Sequence, residues 1–387
     1  RQEAFHRRQA TGAPMVAPHP TPAPCSIGGA IDSPHPLTPF GWTDQVAADL
    51  AAHDVPDGAA EPVGVGRVTR VDRRGTQVMA ESGLLRVSTD GRTSRSAGVQ
   101  EQPAVGDWVV FVPDGRRPAV IGVLPRHGVL ARRDPADRAS EQILATNLDH
   151  VFILVPLDRE TSLAWIERSL VLVHESGADP AVILSKSDLD DRAPSFEAEV
   201  RSVTGEDPVH VISAVTGQGV DALAPYFADN ATVAMFGASG AGKSTLVNAL
   251  IGAEHQETAD VRSGDAKGRH TTTTRHLLPL PGGGVILDTP GLRALGLWEA
   301  SSGLERAFPD IVELAAACRF RDCRHDAEPG CAVRAAVVSG RLEARRLDSY
   351  HNLVAEAGAV DRQREELRQA QGEGRRPPRR RSGRGGR

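Results

Sequence analysis

From Pro62 to about Arg132 the chain alternates apolar and polar positions in short runs, VGVGRVTRVD, TQVMA, LLRVSTDG, GDWVVFVPDG and AVIGVLPRHGVLARR, broken by Gly and Asp at regular intervals. A period of two with turn residues between runs predicts a small antiparallel barrel. From about Asp149 to Leu297 the pattern changes to continuous apolar strands, DHVFILVPLD, PAVILSKSDL, DPVHVISAVTG, ATVAMFGASG and GGGVILDTPG, separated by helical stretches. Strands apolar on both faces that each end in a polar or glycine-rich loop predict a mostly parallel, doubly wound sheet with its ligand at the strands' C-terminal ends. Beyond Ala300 a helical, cysteine-bearing segment runs to about Arg364. Residues 1–60 are rich in Pro, Ala, Gly and His without apolar periodicity and are expected to be disordered, as is the basic end at 365–387. The expectation is a multidomain α/β protein: barrel 61–132, sheet domain 133–300 and a small helical metal-binding domain 301–364.

Composition narrows this picture. A chain of 387 residues is long enough for two or three cores. No apolar run reaches the ~18 residues a membrane helix needs, and the first residues lack the charged-then-apolar order of a secretory signal. A cytoplasmic protein without membrane contact, acting as a monomer, is expected. The net charge of -5 hides an asymmetry, because the last thirteen residues, RRPPRRRSGRGGR, hold seven arginines and no acid. Such a tail on an acidic body suits a phosphate backbone or serves as a solvated arm. Of four cysteines, Cys25 stands alone and three cluster beside a histidine, which in a reducing compartment favours a metal site over disulfides.

Gly237, Ala238, Ser239, Gly240, Ala241, Gly242, Lys243 and Ser244 fit G-x-x-x-x-G-K-[ST] between a buried strand and the helix STLVNALIG, which begins with Ser244 and Thr245. Glycines there let successive N–H groups converge on phosphate oxygens at a helix N-terminus. Lys243 is expected to reach the β- and γ-phosphates, and the Ser244 hydroxyl to bind Mg²⁺. Asp288, in VILDTPG, can hold the Mg²⁺ water shell, and the N–H of Gly291 can meet a γ-phosphate. In GRHTTTTR any threonine can offer a hydroxyl to magnesium; Thr272 is favoured, with Thr271 next.

Ser185, Lys186, Ser187 and Asp188 close the strand Ala181 to Leu184 in the manner of an N-K-x-D guanine loop, with serine where asparagine is usual. The aspartate would accept from guanine N1–H and the exocyclic amine, a donor pair adenine lacks. Ser213 and Ala214, ending the next strand, would offer backbone N–H to the base carbonyl. The guanine-reading pair therefore precedes the phosphate loop. Since all these loops sit at one end of one sheet, chain order can change without moving the site, and the domain is read as a circularly permuted P-loop GTPase domain. After D-x-x-G, Leu292 stands where many GTPases carry a water-orienting glutamine. His270 is the nearest group able to position water, so it is the candidate catalytic residue.

Cys318, Cys323, His325 and Cys331 form C-x₄-C-x-H-x₅-C. Three thiolates and an imidazole suit one closed, structural Zn²⁺ site.

The order of barrel, permuted GTPase and Cys₃His segment resembles the ribosome small subunit-dependent GTPase A family (RsgA, also called YjeQ) over about residues 62–364. The matching text is GASGAGKSTLVNAL, GRHTTTTR, DTPGLRALGLW, Phe308-Pro309-Asp310 and the cysteine cluster. The resemblance implies an OB-fold barrel, GTP and GDP as ligands, and the small ribosomal subunit and its rRNA as partners late in subunit maturation. It also implies subunit-stimulated hydrolysis in which His270 takes part. Two other readings stay open on the residues alone: a P-loop ATPase or kinase with an accidental K-x-D, and a zinc-dependent RNA-binding protein that uses nucleotide structurally.

Overall fold

A computed structural model describes residues 34–55, 62–72, 75–89, 102–112, 117–133, 141–189, 193–252, 276–288 and 301–373. Strands β1 (Gly64–Asp72), β2 (Gly75–Ala80), β3 (Gly83–Val87), β4 (Trp108–Val112) and β5 (Ala119–Val123) form an antiparallel sheet in the order β3-β2-β1-β4-β5. A parallel bridge from Ser88 to Ala119 joins its two edges, with Ser88 N–H donating to Pro118 O at 2.8 Å and Val120 N–H to Ser88 O at 3.0 Å. This closure is the five-stranded OB-type barrel. In β2, Thr76, Val78 and Ala80 point inward while their neighbours face out, as the period of two requires.

Strand β4 departs from that alternation, being buried at all five positions. Val109 and Phe111 fill the barrel, whereas Trp108, Val110 and Val112 are covered from outside by Leu37, Trp42 and the helix α1 (Asp44–Ala51) through Val46 and Leu50. The expectation of disorder through residue 60 is corrected here for 34–55. Trp42, Val46 and Leu50 do stand at helical spacing, but over only two turns and beside a Pro-rich stretch; they meet a ready apolar face, and Thr43 caps α1 by accepting from Val46 N–H.

A two-stranded ribbon, β6 (Leu130–Arg133) with β7 (Glu141–Ala145), leads into a six-stranded sheet of order β10-β9-β8-β11-β13-β12. Its strands are β8 (His150–Pro156), β9 (Asp179–Ser185), β10 (Val209–Val211), β11 (Thr232–Gly237), β12 (His276–Pro279) and β13 (Val285–Asp288). All pair in parallel except the edge strand β12, antiparallel to β13. Neither β7 nor β12 was expected, each being four or five residues with little to distinguish it from a loop.

Successive side chains of the central strands enter opposite cores. Val151, Ile153 and Val155 of β8 pack on one face with helix α2 (Leu163–Ser176), and Phe152 and Leu154 on the other with α4 (Lys243–Ile251); α3 (Ala193–Thr204) also lies on the α2 side. Ser162 caps α2 and Gly177, at φ 82°, ends it. Each buried Ile, Leu or Val on this helix contributes about 1.5–3 kcal/mol.

The C-terminal helices are α5 (Ser301–Ala307), α6 (Pro309–Ala315), α7 (Ala332–Val338) and α8 (Ala344–Glu373). Leu304, Phe308, Ile311, Val333, Leu347 and Leu353 share one apolar cluster with α2 and the sheet, so this region leans on the GTPase-like core as well as on its cysteines. Arg346, almost wholly buried, binds Asp310 through two bonds of 3.0 Å and Glu167 of α2 at 2.9 Å, and its guanidinium lies 4.2 Å from the Phe308 ring centroid. Burial works against that charge, but Asp310 and Glu167 outweigh it and leave the guanidinium pKa raised. Helix α8 runs nine residues beyond the expected end at 364, because Glu, Leu, Arg, Gln and Ala fill 365–371 ahead of Gly372, Gly374 and the proline pair. Among the described residues no helix is long and apolar enough to cross a membrane.

Candidate nucleotide-binding site and metal centre

The glycine-rich loop joins β11 to α4 across the C-terminal edge of the sheet. Gly237 has φ 159°, and a Cβ there would meet Leu154 O at 2.7 Å; Gly240 and Gly242 have φ 72° and 89°. Gly242 is the N-cap of α4 and supplies no side-chain acceptor, leaving first-turn N–H groups for a ligand. Lys243 Nζ donates to Gly237 O at 2.8 Å and Ala238 O at 2.9 Å, holding an ammonium over the loop's mouth. Ser244 and Thr245 follow in the first turn of α4, both half-buried.

The guanine-type loop leaves β9 beside it. Ser185 is buried, and its Oγ donates to Ala241 O at 2.8 Å, so the serine that stands in for asparagine ties this loop to the phosphate-type loop. Lys186, at φ 65°, turns the chain so that Ser187 N–H donates to Ile212 O at 3.1 Å, joining the loop to the end of β10. The Ser187 hydroxyl is buried and has no hydrogen-bond partner among the described residues. Ser213 accepts from Thr216 N–H at 3.2 Å, which directs its own hydroxyl proton to Asp188 Oδ1 at 2.5 Å. That bond aims the carboxylate and leaves its other lone pairs available; Ala214 sits half-buried next to it. Lys186 Nζ is held by Asp158 at 2.6 Å. Asp158 had not been singled out in the sequence, although its position closing the apolar run VFILVPLD, like Asp188 after β9, marks it as a strand-end residue.

The structure thus brings Ser185, Lys186, Ser187, Asp188, Ser213, Ala214 and Gly237 to Thr245 to one edge, with Asp288 ending β13 in the same direction. His270, Thr271, Thr272, Gly291 and Leu292, and the side chain of Asp288, lie outside the described residues.

The four metal-type residues converge, their donor atoms all within 4.8 Å of one another. Cys318 Sγ lies 3.6 Å from His325 Nδ1 and 3.9 Å from Cys331 Sγ, and Cys331 Sγ lies 3.5 Å from His325 Nδ1. A tetrahedral ion with ~2.3 Å metal–sulfur bonds has donor–donor edges of roughly 3.8 Å, so the set fits zinc. Burial pushes the Cys318 thiol up, but N–H groups of Val333 and Ala332 outweigh it and leave its pKa lowered; burial also lowers the His325 imidazole, keeping it in the neutral, ligating form. Cys331 doubles as the N-cap of α7. The loop is braced by Glu328, whose carboxylate accepts from the N–H of Arg324, Asp326 and Ala327 and is held down at about 2.

A family model described as RsgA GTPase matches residues 123–298. The small ribosomal subunit biogenesis GTPase RsgA of Streptomyces avermitilis is 44% identical over 332 residues, covering 85% of this chain and 88% of its own. Its namesake from Methanosarcina acetivorans is 42% identical over 293 residues, covering 75% and 79%. The crystal structure of YjeQ from Thermotoga maritima superposes with a TM-score of 0.57 at 28% identity, over 76% of this chain and 99% of that one. YloQ, described as a circularly permuted GTPase, shares the fold with a TM-score of 0.54 at 24% identity, over 79% and 98%. In this chain the guanine-type loop precedes the phosphate-type loop, and with relatives of 42–44% identity over three quarters or more of its length, this chain belongs to the RsgA GTPase family.

Proposed function

We propose that this protein binds the small ribosomal subunit through its rRNA and hydrolyses GTP to GDP and phosphate during late subunit maturation, stimulated by the subunit. The observation that carries this reading is the tie between the two loops, Ser185 Oγ to Ala241 O at 2.8 Å, with Asp188 aimed by Ser213. A guanine-reading carboxylate and a phosphate cradle fixed to one another suit a guanine nucleotide and give an ATPase or kinase no use for the aspartate.

Asp188 accepts from the guanine N1–H and amine, the Lys186 stem lies over the base and the Ala214 N–H meets the base carbonyl. Gly237 to Ser244 hold the phosphates, with Lys243 exchanging its loop carbonyls for phosphate oxygens. Magnesium bound with the nucleotide would neutralise charge on the β- and γ-phosphates; Ser244 and Thr272 are the residues that would hold it, with Asp288 behind its water shell. Gly291 senses the γ-phosphate and His270 positions the attacking water. Leu292 cannot, so hydrolysis is slow without the subunit. Cys318, Cys323, His325 and Cys331 hold a structural zinc ion that shapes the loop between α6 and α7. The protein acts in the cytoplasm as a monomer.

The decisive measurement is GTP hydrolysis with and without small subunits, alongside ATP competition. Strong stimulation of a slow rate, with ATP a poor competitor, is expected. Equal binding of ATP and GTP would defeat the guanine assignment, and turnover indifferent to subunits would defeat the coupling.

A further inference from the structure

Arg67 of β1 is 1% exposed, the most deeply buried cation among the described residues. Among the described residues its guanidinium makes no hydrogen bond to a carboxylate. The nearby Asp107 is occupied by Arg126, Thr146 and the Ala104 N–H, and Asp149 accepts from the Thr232 N–H at 2.7 Å. Arg67 instead donates from Nε to Gly106 O at 3.2 Å, from Nη1 to Phe40 O at 2.6 Å, and from Nη2 to Asn147 O at 3.0 Å and Thr232 Oγ1 at 2.9 Å. These acceptors come from the barrel, the N-terminal segment, the entry to β8 and the first residue of β11. The guanidinium also lies 5.4 Å from the Trp108 ring centroid. Its planar fork suits this task, since a lysine ammonium could not reach acceptors spread over four directions.

The far end of β11 opens the glycine-rich loop at Gly237. Strand β12, which begins directly after the threonine-rich segment, lies against β1 itself. The barrel is therefore fastened to the two strands that border the proposed phosphate and magnesium-binding loops. A buried guanidinium cannot give up part of its acceptor set gradually, because each lost acceptor leaves a charged donor without water or partner. Docking of the barrel is then close to all-or-none, which is what a relay requires.

Resting on the proposed function, we propose that Arg67 is a positioning residue that locks the barrel to the GTPase sheet through Thr232, so that subunit contacts made by the barrel reach the rate of GTP hydrolysis. Thr232 touches neither proposed ligand site, so its hydroxyl isolates this one bond. The full chain is assayed as Thr232→Val, which keeps the shape and removes the acceptor, and as Thr232→Ser, which keeps the acceptor. In Thr232→Val the ratio of subunit-stimulated to basal turnover is expected to fall about tenfold, with basal turnover and GTP affinity unchanged; Thr232→Ser is expected to retain the wild-type ratio. Arg67→Met, matched in stem length, serves as a second arm and is expected to reproduce the loss, with melting temperatures recorded for all three. A wild-type ratio in Thr232→Val, or equal losses in the valine and serine variants, would overturn the relay, as would a parallel fall in basal turnover. If the unmodified protein shows no stimulation at all, the functional reading fails first; stimulation that persists in the variants removes only the role of Arg67.

Discussion

Replacing Arg346 by methionine keeps the stem's volume and removes a charge that joins α8 to α2 and α6. Glu167, with no exposed side-chain surface, then loses its 2.9 Å partner and keeps only Arg345 at 3.1 Å, itself partly exposed. Asp310 loses both of its bonds, and the carbonyls of Ala307 and Val203 lose donors at 2.8 and 3.2 Å. Removing one partner of a buried pair costs about 3–5 kcal/mol, and the residual Arg345 contact argues for the lower end, about 3 kcal/mol. Urea unfolding followed by circular dichroism measures it directly. The double variant Glu167→Leu with Arg346→Met removes both buried charges and is expected to be less destabilised than Arg346→Met alone, since an unpaired buried carboxylate is worse than none. A single-variant cost below about 1 kcal/mol, or a double variant at least as destabilised as Arg346→Met alone, would refute the claim that this network is a desolvated junction.

Further expectations follow from other bonds. Ser185→Ala removes one neutral bond worth about 1 kcal/mol, so GTP and GDP affinity, read with a fluorescent nucleotide, should fall together by roughly fivefold; a change in GTP alone would contradict a tethering role. Chelation of zinc should loosen residues 318–331 to protease while nucleotide binding persists, because the guanine-type and phosphate-type loops draw on the sheet and not on the cysteines. For Asp149, burial raises the carboxyl pKa, but the His127 imidazole 3.6 Å away and the N–H bond from Thr232 outweigh it and leave it below its ordinary 3.8. Its contribution is therefore complete above the unfolded value and lost as pH falls through the lower folded value. In Asp149→Asn the acid limb of a stability–pH curve below pH ~4 should be shallower; an unaltered limb would show that His127 and Thr232 do not stabilise the ionised carboxylate.

Much of the site was legible because its chemistry is local. Gly237 to Ser244 needs positive φ, a helix start and a lysine within eight residues, and Cys318 to Cys331 lies in one short loop. The strands of the central sheet declared themselves for a similar reason, since burial on both faces leaves an unbroken apolar run in β8, β9 and β11. Strands β7 and β12 did not, being too short for any period to emerge, and in 34–55 the two helical turns marked by Trp42, Val46 and Leu50 were masked by the Pro-rich text before them. Ser185 looked like a weakened asparagine; its value depends on Ala241, far away in the chain, coming within 2.8 Å.

The residue types and spacings alone determined the sheet, the phosphate-type and guanine-type loops and the Cys₃His cluster, because each needs only a handful of neighbours to acquire its meaning. Arg67 and Arg346 are different. In the chain they are two arginines among many, and nothing adjacent marks one as buried. Only folding supplied Thr232 to the first and Glu167 to the second, across separations of 165 and 179 residues. A guanidinium is stable inside a protein only where several distant acceptors converge. The junctions that hold barrel, sheet and metal segment together were therefore decided by tertiary structure, and the chemistry they serve was decided by sequence.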